Sequence, residues 1–114
     1  MPNTFKNSTV NAVGTAAINA YVCPAATQTT AIGMTIANLN TNAITANVML
    51  NAAGSNVYVL KNATIPPGGA LVPIGGDQKL VLEAGDYLHV NTSSSSSADV
   101  IVSVLRLVNG LSWQ

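Results

Sequence analysis

Along most of this chain, apolar and polar residues alternate one by one. In "TAIGMTIANLN" the larger apolar residues Ile32, Met34 and Ile36 fall on one face of an extended segment, with Ala31, Gly33, Thr35 and Ala37 on the other. That period of two predicts a strand. "NAITANVML" repeats it, Ile44, Ala46, Val48 and Leu50 alternating with Thr45 and Asn47, and the Asn/Thr-rich "NLNTN" between them predicts a hairpin turn. Shorter strands are expected in "AAINAYV" and at 57–60, 70–74, 79–82, 87–90 and 99–107.

The separators carry turn chemistry: Gly54, the run Pro66, Pro67, Gly68 and Gly69, then Gly75 and Gly76, then Gly85. These residues fix or release φ where a chain reverses. Dense β-branched residues and the absence of a 3.6-residue stripe leave little room for helix. The expected fold is all-β: a single-domain antiparallel β-sandwich, jelly-roll-like or immunoglobulin-like, of about eight short strands. Its expected limits are residues 14–108, with an N-terminal arm over 1–13 and a C-terminal tail over 109–114.

The final strand departs from simple alternation. Ile101, Leu105 and Leu107 point one way and Val100, Val102 and Val104 the other, so both faces are apolar. Such a strand is either covered on both sides or meets another subunit. The second reading makes Val100, Val102 and Val104 candidate partner contacts. Phe5, Leu111 and Trp113 join them, because exposed aromatic and apolar residues in tails tend to anchor interfaces. "NTSSSSSAD", with serines at 93–97, reads as a solvated hairpin loop.

Composition sharpens this picture. Only 7% of the 114 residues are charged, 48% are apolar, and four basic residues balance four acidic ones. No basic cluster exists to neutralise phosphates, so nucleic acid is not an expected partner. A net charge of zero removes colloidal repulsion and suits a protein that assembles. The N-terminus lacks the basic and apolar regions of a secretory signal, no apolar run approaches the ~20 residues of a membrane-spanning helix, and the expectation is synthesis in a cytoplasm without membrane insertion.

Candidate chemistry is sparse. The lone Cys23 has no partner for a disulfide and is expected to be a small buried residue. Glu83, Asp86 and the only histidine, His89, lie close in sequence, but strand geometry sends Asp86 and His89 to opposite faces. Neither a GxSxG elbow nor a phosphate-binding glycine motif occurs, and "PPGGAL" and "IGGDQK" read as turns. Sequons at Asn7, Asn62 and Asn91 are what an Asn- and Thr-rich chain generates by chance. No catalytic residue, metal ligand or cofactor is expected, and the chain does not read as an enzyme.

The order "YVCPAATQTTAIGMTIANLN", then "VYVLKNATIPPGGALVPIGGDQKLVLEAGDYLHV", then a Ser-rich loop and "DVIVSVLRLV" resembles small β-sandwich structural proteins of tailed-bacteriophage virions, of the head decoration or cement kind, with related forms in tails and fibres. The resemblance runs from about Gly14 to Leu107 and is most specific from Tyr58 through Asp86. Cys23 before Pro24, the doubled Pro66-Pro67 and both tails depart from it. It implies a capsid-surface protein that binds the major capsid protein or other virion proteins as a homo-oligomer, a trimer being one such arrangement. A tail, neck or fibre component is the near alternative. A carbohydrate-binding module using Tyr58, Tyr87 and Trp113 is the more distant one.

Overall fold

The computed structural model describes residues 3–75 and 79–108. Nine strands follow one another: β1 Asn3–Val13, β2 Ile18–Val22, β3 Thr27–Asn38, β4 Ile44–Ala52, β5 Ser55–Ile65, β6 Ala70–Ile74, β7 Leu80–Leu82, β8 Tyr87–Thr92 and β9 Ala98–Val108. They form two antiparallel sheets. The first has the order β1-β9-β3-β6, with β7 sharing β3's far edge, and the second the order β2-β8-β4-β5.

The pairings nest. β4 pairs with β5, β3 with β6 and β7, β2 with β8, and β1 with β9, so the chain doubles back as one antiparallel ribbon. That ribbon is then rolled so that β9 also meets β3 and β8 also meets β4. A rolled ribbon of this kind is a jelly roll, in which most successive strands lie in opposite sheets and the β4–β5 hairpin forms the tip of the ribbon.

Two expectations of hairpins are corrected by this topology. β3 and β4 belong to different sheets, so "NLNTN" is a corner between sheets. Asn38, buried there, donates from Nδ2 towards the carbonyls of Asn42, Ile65 and Pro66 at 3.0, 3.0 and 3.1 Å, while its Oδ1 accepts from the amide of Asn40 at 2.8 Å. The serine segment likewise joins β8 to β9 across the sheets. Far from being wholly solvated, it buries Ser97, whose amide donates to the carbonyl of Val13 and whose hydroxyl lies 2.6 Å from that of Thr92.

A third correction concerns the N-terminal arm. Residues 3–13 are a full edge strand, in register with β9 from Asn3↔Leu107 to Val10↔Val100 before an irregularity that ends at Val13↔Ala98. Its inward positions are mostly polar: Lys6 lies opposite Val104, and Ser8 donates to the carbonyl of Ala20 in the other sheet at 2.6 Å. A charge on the inward parity but exposed at the sandwich margin blurs the apolar alternation and protects an open edge.

Between the sheets, Val100, Val102 and Val104 of β9 meet Met34 and Ile36 of β3, and Ile44, Ala46, Val48, Leu88 and Val90 of the opposite sheet in one core. The expected alternation of β3 slips once. A bulge at Ala31–Gly33 buries Ala31 and turns Ile32 away from the face shared by Met34 and Ile36. The extra residue in one strand is what reverses the side-chain phase.

Candidate interaction surfaces

With the core closed, the surface question becomes what the outward faces carry. β9 is central in its sheet, yet among the described residues nothing covers its outward side: Ile101 is 46% and Leu107 40% exposed. Phe5, opposite Leu105, is 73% exposed on the same side. Val72 and Val81, at the far edge beside β3, are exposed too. Between these lie the uncharged groups of Asn7, Thr9, Gln28, Thr30, Thr35 and Ser103, with the Ser103 hydroxyl donating to Asn7 Oδ1 at 2.8 Å.

The partner contacts expected from sequence are therefore redistributed. Val100, Val102 and Val104 are fully buried between the sheets, so they are core residues that no partner can reach. The residues alternating with them, Ile101, Leu105 and Leu107, form the accessible apolar row instead, because adjacent strand residues point to opposite faces. Phe5 stands exposed beside that row. Leu111 and Trp113 lie outside the described residues.

At the β1 irregularity a shallow groove of about 680 Å³ opens between Thr9, Val10, Ile18, Asp99 and Ile101. Ala12 has φ +53° there, and its amide donates to Asp99 Oδ1 at 3.0 Å. The carboxylate thus serves the bulge.

The other sheet presents a different chemistry. Register places Asn19, His89, Met49 and Tyr58 in one outward row and Tyr87, Asn51 and Asn56 in the next. Asn56 Oδ1 accepts from Asn51 Nδ2 at 2.9 Å and lies 3.3 Å from His89 Nε2. The Tyr87 and His89 rings are 5.3 Å apart and tilted, and Lys61 Nζ sits 5.1 Å from the Tyr58 ring centre. This face is amide-rich, with Val22, 47% exposed opposite Tyr87, as an apolar exception.

Glu83, Asp86 and His89 do not converge. Asp86 closes the turn, its carboxylate accepting from the amides of Glu83 at 3.0 Å and Ala53 at 3.2 Å, while Gly85 supplies φ +89°. His89 is engaged with Asn56 instead. Cys23 is 1% exposed, its thiol 3.3 Å from both the Thr27 carbonyl and the Thr29 hydroxyl, which also meets Tyr21. That trio fills the end of the core, a placement the sequence signalled only through Cys23's apolar character. Among the described residues no three His, Cys, Asp or Glu side chains gather, and no helix is long and apolar enough to cross a membrane.

Fold and surface define a jelly-roll β-sandwich with one apolar and one amide-rich outer face. No protein-family model matches the chain, and no curated protein matches it in sequence. Solved structures do share the fold. A protein of the Bacillus endospore appendages, a family of disulfide-linked pili, aligns with a TM-score of 0.54 at 9% identity, over 96% of this chain and 93% of that one. A protein of the virus-like particle of Macrobrachium rosenbergii extra small virus, from the giant freshwater prawn, aligns with a TM-score of 0.53 at 10% identity, over 92% and 77%. At such identities the likeness is one of fold.

Proposed function

We propose that this chain is a structural protein of a virion, specifically a decoration or cement protein of a tailed-bacteriophage head that binds the coat-protein lattice from the capsid surface after synthesis in the host cytoplasm. The observation that carries the reading is the apolar face of Phe5, Ile101 and Leu107 with half-buried Leu105, which no described residue covers, on a sandwich that already has its own buried core. A monomer gains nothing from such a face, whereas an assembling protein buries it. Two proteins of the same fold build a pilus and a virus-like particle, which supports an assembly role at the level of fold. Disulfide linkage is not part of the proposal, since this chain's one thiol is buried.

As a cement protein the chain acts by mass action. Each copy bound to assembled coat protein, and not to dissociated coat protein, stabilises the shell by an amount that grows with its concentration over its Kd. No catalytic role is proposed. Immunogold labelling of purified particles tests the site: label spread over heads supports the cement role, label confined to tails or necks moves the protein there, and unlabelled particles overturn the virion reading.

A second reading rests on the opposite sheet. Tyr58 and Tyr87 share an outward face with His89 and several asparagines, the kind of groups that stack on and hydrogen-bond to sugars. A glycan array on which the protein binds nothing would retire it.

A further inference from the structure

We infer that the outward face of β1, β9 and β3 is the contact surface for a second copy of this chain, the two copies meeting face to face about a two-fold axis. The inference deepens the proposed assembly role and rests on it for its biological setting.

Three observations select a second copy as the occupant. The first is charge. Among the described residues, the outward register of these three strands holds a single charged group, Asp99 at one end, and its carboxylate already accepts from Ala12. Charge patterns are what steer a surface towards a different partner and away from wrong ones, and this face has almost none.

The second is the chemistry of the polar groups between the apolar residues. Asn7, Gln28, Thr30, Thr35 and Ser103 carry amides and hydroxyls, each of which both donates and accepts. Such groups are complementary to copies of themselves, which ammonium and carboxylate groups are not. An isologous contact sets apolar row on apolar row and neutral polar row on neutral polar row.

The third is area. An 11-residue strand such as β9 spans ~36 Å, and three strands ~4.8 Å apart are ~14 Å wide, giving ~500 Å² of sheet plane per copy. Two copies thus bury about 1,000 Å² before side-chain relief is counted, which meets the lower bound expected of a biological interface. Phe5, the most exposed large apolar residue of the face, and Leu105 beside it provide the anchoring side chains.

Analytical ultracentrifugation of the full chain across a concentration series tests the pairing. The wild type is expected to show a reversible dimer. Leu105→Asp, which puts a charge into the apolar row, and Phe5→Asp, at a site exposed enough to leave the fold intact, are each expected to raise the dimer Kd by about 30-fold or more. Tyr58→Asp on the opposite sheet is expected to leave the Kd unchanged. Circular dichroism melts accompany each variant, and Phe5→Asp carries the test if Leu105→Asp does not fold.

A wild type that stays monomeric overturns the inference, as does a dimer untouched by Phe5→Asp or one broken by Tyr58→Asp alone. A monomeric free protein would leave the virion reading standing, because particle labelling decides that separately.

Discussion

Asn38 shows how much of the fold can hang on one side chain. It sits buried at the β3–β4 corner and ties together the carbonyls of Asn42, Ile65 and Pro66. Asn38→Ala strands those acceptors and should cost about 1–3 kcal/mol. A fall in Tm of about 4–8 °C per kcal/mol would register it, and an unchanged Tm would refute the role. Cys23 makes a second residue-scale test: buried at 1% exposure, its thiol should resist alkylation in the native protein and react fully in denaturant. Rapid labelling of native protein would contradict that burial. Asp86 and His89 are separate, as expected from sequence, but by a different cause: Asp86 lies in the turn before β8, where its carboxylate is held by the amides of Glu83 and Ala53, so strand parity does not apply to it. Asp86's reach to the amide of Ala53 was not legible, because that amide comes from a hairpin distant in sequence.

Among the strands, β3, β4 and β9 were legible because their buried residues recur mostly at every second position, the bulge at Ala31–Gly33 of β3 being the break that sequence did not show. β1 was not. An edge strand has one ladder instead of two and, near the sandwich margin, inward positions such as Lys6 and Ser8 that need not be apolar, so the period of two disappears. The two apolar faces of β9 were also visible, but parity cannot say which face looks inward, and Val100, Val102 and Val104 proved to be the inner set. Deleting residues 3–12 should expose the free edge of β9 and uncover Ala20's side of the core. The truncated protein is expected to aggregate and to bind apolar dyes; a truncation as soluble and dye-silent as the full chain would show that β1 is dispensable to the sheet.

For the whole molecule, the decisive feature is pairing between the two ends of the sequence. β1 joins β9 only after nearly the entire chain has been placed, so folding should be slow, on the order of milliseconds to seconds, as stopped-flow refolding would report. Microsecond folding would contradict the nested topology. That topology was beyond the sequence because a short Asn-, Ser- or Gly-rich connection serves equally as a hairpin or as a corner between sheets, and the alternation of a strand does not name its neighbours. What the rolled ribbon produces is a closed core with a charge-poor apolar face on one side and an amide-rich face on the other, a form suited to joining an assembly by one side. Quantitative mass spectrometry of purified virions tests that role most directly. This chain is expected at a copy number comparable to that of the coat protein, and its presence only in trace amounts would rule that role out.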